Sequence, residues 1–185
     1  MASNLTTWQH TVTSELNGWR QRMQRAGVTS VYGFLSAASV WPVVQAAQGG
    51  DWGALGALGA VVASVGSNLL ANRIQGWKDE ADGARQLSAQ LANEPQLRAE
   101  LDAILQALDT FTRAREALPE ADRQWFVDTL QKELKQLGNA ATFNIQVSGS
   151  GAVATHGGVA AGAGGVAVGG NVHGSVIVGG GTKKE

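Results

Sequence analysis

From residue 26 to residue 50 the chain carries no charged side chain, and after a lone Asp51 it carries none again until Arg73. This run constrains the fold more than any other feature. A stretch with so little to offer water has to be enclosed by protein or by lipid. Its two halves meet at Gln48-Gly49-Gly50-Asp51, a sequence suited to a turn. Each half is long enough for a helix of ~20 residues, which at ~1.5 Å per residue matches the ~30 Å hydrocarbon core of a bilayer. The expectation is a Gly-rich helical hairpin over residues 28–73.

Small residues fill the second arm at helical spacing. Gly56, Ala60 and Ser64 form one ridge, and Gly59, Ala63, Ser67 and Ala71 a second. Such ridges let helix backbones approach closely, as in membrane helix pairs. Trp52 and Trp77 bracket this arm and Trp41 lies across the turn, positions that suit membrane interfaces. Arg20, Arg22, Arg25, Arg73 and Lys78 all fall on the side away from the turn, so the positive-inside rule would put both ends in the cytoplasm. The competing reading makes the hairpin the buried centre of a helical assembly in water. Ser30, Ser36, Ser39, Gln45, Asn68 and a mid-segment Pro42 lower its hydropathy and favour that alternative.

The flanks read as ordinary amphipathic helix. Leu5, Trp8, Val12, Leu16, Trp19 and Met23 make one stripe over residues 4–25, with Gly27 placed to end it. The opening residues lack a charged segment followed by an apolar run, so they do not read as a secretory signal. Ile74, Trp77, Ala81, Ala84, Leu87 and Leu91 continue a stripe beyond the hairpin, as does the set Leu97, Leu101, Ile104, Leu108 and Phe111. Pro119 opens a last helix with Glu120 and Asp122 in its first turn; Trp125 or Phe126, Leu130, Leu134 and Leu137 supply its apolar face. Charges of both signs interleave from Lys78 to Lys135, and the net charge is −1. That pattern describes a solvated bundle surface and leaves no basic face for nucleic acid.

After Gly138 the period changes. Phe143, Ile145 and Val147 alternate with polar residues, as a strand does. Valines then recur at Val153, Val159, Val166, Val172 and Val178, six or seven residues apart, with Val176 beside the last and paired glycines between them. Gly allows the positive φ that tight corners need, and short repeats with such corners are the mark of a β-solenoid. A segment this short rarely holds itself together, so several chains would stack their rungs.

The tail, "GSGAVATHGGVAAGAGGVAVGGNVHGSVIVGG", resembles the hexapeptide repeats of left-handed β-helices and the Ala/Gly/Val repeats of trimeric adhesin heads. The longer order, "VYGFLSAASVWPVVQAAQGGD", "GSNLLANRIQGWKDE", "LPEADRQWFVDTLQKEL" and then the tail, resembles the region preceding the nucleotide-binding domain in bacterial NACHT-type signal-transduction NTPases and small relatives. That resemblance implies a place in a bacterial conflict or immune system and a separate NTPase as partner. The chain departs from those NTPases in lacking a G-x-x-x-x-G-K-[ST] loop. The GGGTKK at 179–184 has the wrong spacing, so nucleotide binding is not carried over.

Reaction chemistry finds little support. With no cysteine, and with His10, His156 and His173 scattered, no metal-ligand spacing is present on one chain. Ser148-Gly149-Ser150-Gly151 is not a nucleophile elbow. No catalytic, cofactor-binding or metal-binding residue is assigned.

The sequence is therefore read as an α+β chain. A mainly helical bundle of about five helices (1–138) contains the apolar hairpin. A β-prism-like Gly/Val segment (139–181) and a charged end (182–185) follow. The expected function is a non-enzymatic, cytoplasmic scaffold that self-assembles as a homo-oligomer, a trimer above all, through Val153, Val159, Val166, Val172, Val176 and Val178. In the hairpin, Gly56, Gly59, Ala60, Ala63, Ser64 and Ser67 would form the packing ridges. The alternative is a membrane-inserting effector or anchor acting through 28–73, with Trp41, Trp52 and Trp77 at the interface; the third reading is an adaptor for a separate NTPase.

Overall fold

The computed structural model describes residues 2–66 and 69–138, with side chains from residue 5 onward, and the backbone of two short strands at 144–145 and 153–154. The chain divides into two units, Met1–Ala141 and Thr142–Glu185.

The first unit is built around one helix. α1 (Ala2–Glu15) and α2 (Trp19–Arg25) precede α3 (Val31–Gln48), whose first ten residues are all buried. α4 (Gly53–Val62), α5 (Leu69–Arg73), α6 (Glu80–Gln90), α7 (Pro95–Ala107), α8 (Thr110–Glu116) and α9 (Glu120–Gln136) complete the order. α3 touches α1, α2, α4, α6, α7, α8 and α9. The first uncharged stretch is thus a core helix enclosed by protein, which is why it needs no polar face. Its tightest neighbour is α6. At Gly33 a Cβ would stand 2.2 Å from Ser88 Oγ, so the two helices meet where one has no side chain.

Most of the expected stripe residues are buried, while Leu5, Ala81, Trp125 and Leu137 are half-buried. Trp8, Val12, Leu16, Trp19 and Met23 are buried, as are Ile74, Trp77, Ala84, Leu87, Leu91, Leu97, Leu101, Ile104, Leu108, Phe111, Phe126, Leu130 and Leu134. Their helices are shorter than expected. The helix over 4–25 breaks at Gly18, whose φ is 66°. Phe111 belongs to a new helix after Asp109 turns left-handed at φ 51°. α6 starts afresh because Asp79 caps it, accepting from Asp82 N at 2.7 Å.

Two expectations are corrected. The second hairpin arm is not one helix: α4 runs into a 3-10 turn at Ala63–Val65, Gly66 turns left-handed at φ 74°, and α5 starts again at Leu69. The α+β class also fails. Among the described residues the chain forms nine α-helices, not about five. The strand content is one two-residue contact, β1 (Asn144–Ile145) with β2 (Val153–Ala154), antiparallel with Asn144 opposite Ala154 and Ile145 opposite Val153. The rest of the segment expected at 139–181 lies outside the described residues.

Candidate interaction surface

α4 reads Gly53-Ala-Leu-Gly-Ala-Leu-Gly-Ala-Val-Val62, with no charge and no polar side chain. Only Leu58 and Val62 of this helix are buried. The ridge Gly56, Ala60 and Ser64 is exposed, Ala63 is exposed, and Gly59 is half-buried. Nothing lies within 4 Å of where a Cβ would stand at Gly56 or Gly59. The exposed ridge residues thus lie on the side of α4 opposite its buried Leu58 and Val62. Ser67 lies outside the described residues.

The three candidate interface tryptophans part company. Trp52 is 68% exposed, the one exposed large hydrophobic side chain among the described residues. Trp41 is half-buried. Trp77 is buried, with its ring over Gly83, where a Cβ would stand 2.5 Å from Cε3. Among the described residues no helix is long and apolar enough to cross a membrane. Of the tail valines, Val153 falls in β2, paired with Ile145. Val159, Val166, Val172, Val176 and Val178 lie outside the described residues.

Open clefts flank α4. One, of about 240 Å³, lies among Trp8, Thr11, Val43, Ala46, Ala54 and Ala57, between α1, α3 and α4. Another open cleft is rimmed by Ala57, Ala60 and Ser64 together with Ala103 and Ala107 of α7. Small side chains on both helices leave these spaces unfilled.

Charge reaches the uncharged stretches from elsewhere in the chain. Glu133 on α9 accepts from the backbone amides of Val31 and Tyr32, both at 2.8 Å, and from Ser30 Oγ at 3.2 Å. Glu100 on α7, fully buried, accepts from the amides of Leu69 at 2.8 Å and Leu70 at 2.9 Å. Each carboxylate meets two of the amides that a helix start leaves unpaired, where negative charge is also favoured. Neither role is visible along the chain. The hint was an acid inside an apolar stripe: Glu100 shares a face with Leu97, Leu101 and Ile104.

A third buried group joins α3 to α7. Tyr32 donates its hydroxyl hydrogen bond to Asp102 Oδ1 at 2.5 Å, with Phe111 beside the ring at 6.2 Å between centroids. Burial pushes the Asp102 carboxyl up to about 6, while the Tyr32 hydrogen bond and the Arg98 charge pull it back. Burial and the adjacent carboxylate hold the Tyr32 hydroxyl well above its usual range. Ser39 and Thr110 pair at 2.9 Å, and the indole N–H groups of Trp8 and Trp19 donate to the Ser39 and Ala114 carbonyls. These bonds satisfy polar atoms at helix crossings; their work is structural.

Compared with family models, with curated proteins and with solved structures, the chain matches none. Its functional reading therefore rests on its own surface.

Proposed function

We propose that the chain is a non-enzymatic assembly module that associates with further copies of itself through the outward ridge of α4. The observation that carries this reading is an uncharged, small-residue helix placed on the surface with Gly56, Ala60, Ala63 and Ser64 outward. A helix that faces only water normally carries charge on that face. Small residues at spacing four let a second backbone come close, and two identical ridges fit each other about a twofold axis. The Gly/Val repeat of the tail supports the same reading, since joining copies there would raise the local concentration of α4 ridges.

Ala60→Glu tests it. A charge on the ridge would be desolvated without a partner at the contact, so the full chain is expected to shift from oligomer to smaller species in sedimentation velocity, with its helical circular dichroism unchanged. A wild-type chain that is monomeric throughout the concentration range refutes the reading, as does a Glu variant that associates equally well. Truncation after Gly138 separates the contributions: association that survives is carried by the helical unit, and association that is lost is carried by the tail.

One observation favours a second reading, contact with a lipid surface: exposed Trp52 stands at the start of this uncharged helix. Flotation of the full chain with anionic and with neutral vesicles, wild type against Trp52→Ala, decides between them. The resemblance to the NTPase-linked segments adds a further partner class, tested by co-purification with a P-loop protein encoded beside this one.

A further inference from the structure

Eight asparagines occur in the chain, and one of them, Asn17, is followed by glycine. Asn17 and Gly18 lie in the break between α1 and α2, and both are exposed. Gly18 takes φ 66° and ψ 17°, a left-handed conformation open to a residue without Cβ. Nothing lies within 4 Å of where its Cβ would stand. The amides on either side are paired: Asn17 N donates to Ser14 O at 3.2 Å and Trp19 N to Leu16 O at 3.3 Å. The Gly18 N–H between them has no acceptor among the described residues, and the Asn17 side-chain amide has no partner among them.

These conditions expose an asparagine side chain to attack by the next backbone nitrogen. That nitrogen must be free to lose its proton, and it must reach the side-chain carbonyl carbon without a Cβ of its own residue in the way. Asp82-Gly83 has the same following glycine and meets neither condition. Gly83 is buried against the Trp77 ring and its N–H donates to Asp79 O at 3.1 Å. Asp82 Oδ2 accepts from Lys78 N at 3.1 Å and from Gln86 Nε2 at 3.0 Å.

We propose that Asn17 is a site of spontaneous covalent modification: the Gly18 nitrogen closes a succinimide ring on the Asn17 side chain, and water opens the ring to aspartate or isoaspartate. In the first step the Gly18 nitrogen gives its proton to solvent hydroxide and bonds to Asn17 Cγ, and the side-chain nitrogen leaves as ammonia. In the second, water adds to one of the two ring carbonyls and the ring nitrogen is released from it. Opening at Cγ restores the ordinary backbone beside a carboxylate side chain. Opening at the main-chain carbonyl routes the backbone through Cγ and leaves that carbonyl as a free carboxylate. The sum is amide plus water giving carboxylate plus ammonium, with no oxidation or reduction.

The main-chain carbonyl at this position is in use. Asn17 O accepts from Arg22 Nη1 at 2.8 Å, and Arg22 also donates to Glu15 O. The same guanidinium pairs with Glu80 of α6, through Nε at 3.0 Å and Nη2 at 3.2 Å. Isoaspartate puts a carboxylate where this neutral acceptor stood and lengthens the break by one backbone carbon. A second acid then competes with Glu80 for Arg22, and the tie between α2 and α6 weakens. None of this rests on the assembly reading.

Ageing the full chain at neutral and at mildly alkaline pH, followed by peptide mass spectrometry, tests the site. An acid is expected in place of the amide at position 17, as two chromatographically separate products, formed faster at the higher pH. The folded chain is expected to convert within about tenfold of the rate of chain unfolded in urea. Greater protection by the fold would overturn the proposal, as would an unchanged residue 17 at both pH values. Hydrogen exchange on the isoaspartate form reads the consequence: amides of α2 are expected to exchange about tenfold faster, with α3 unchanged. Unaltered exchange in α2 would overturn the weakened tie to α6.

Discussion

Gly83 and Gly56 both lie in helices, and the same change should move them in opposite directions. At Gly83 a new Cβ would stand 2.5, 2.6 and 2.9 Å from Cε3, Cδ2 and Cζ3 of Trp77. The Trp77 ring is buried and rigid, with 2% of its surface exposed, so the contact cannot be relieved by turning a flexible tip. Overpacking of this kind costs about 1–3 kcal/mol, and contact with three ring atoms belongs at the upper end. Replacing Gly by Ala inside a helix returns about 1 kcal/mol. The net for Gly83→Ala is a loss of about 2 kcal/mol. At Gly56 nothing lies within 4 Å and the backbone is helical, so only the helix gain remains, about 1 kcal/mol of stabilisation. Urea unfolding followed by far-UV circular dichroism reads both, as shifts in midpoint at constant slope. Trp77→Leu with Gly83→Ala should lose less than the sum of the two single changes, because the clash needs both partners. A Gly83→Ala chain as stable as wild type would refute the reasoning, since it would mean that the ring moves freely.

Other outcomes follow from the buried carboxylates. Because the Asp102 carboxyl titrates at about 6 in the fold against the usual 3.8, the folded chain holds a proton between those values that the unfolded chain has lost. This group therefore stabilises most below pH 4, and its contribution falls as pH rises towards 6. The difference of ~2 pH units, at ~1.4 kcal/mol each, amounts to about 3 kcal/mol. Asp102→Asn should remove this fall when unfolding curves at pH 4 and 7 are compared with wild type; parallel pH profiles would sink the assignment. Glu133→Gln should destabilise by about 2 kcal/mol, the size of hydrogen bonds to a charged acceptor, and thermal unfolding would show it; an unchanged midpoint would mean that the α3 start is held by Ser30 alone. Trp19→Ala should cost about 3–5 kcal/mol, since the indole is fully buried against Phe34 and Phe126 and its N–H is bonded to Ala114; a loss below 1 kcal/mol in denaturant would contradict that packing.

The apolar stripes were legible because helix periodicity is local. Trp8, Val12 and Leu16 on one face, or Leu97, Leu101 and Ile104 on another, need no partner to be recognised. Helix ends were less so. Gly18, Gly66 and Asp109 end or divide runs that periodicity alone carries through, because a left-handed residue leaves the apolar spacing intact. The uncharged stretches showed that something must enclose them but not what. The first ten residues of α3 proved to be enclosed by protein, whereas α4, equally uncharged, lies on the surface. Only the tertiary arrangement distinguishes them. The ridge residues were found from spacing, but spacing fixes a face and not its direction, so the outward position of that face was not legible.

The clasp of Glu133 on α3 joins residues 102 apart in sequence at Val31. A chain emerging from the ribosome at ~5–20 residues per second therefore waits roughly 5–20 seconds between making the start of its central helix and making the acid that holds that start. During that interval α3 has its local Ser30 cap but not Glu133, and the α6 surface that closes on Gly33 is made only about half-way through it. Until α6 and α9 have been made, residues 31–40, all buried in the finished fold, lack two of the helices that pack against α3.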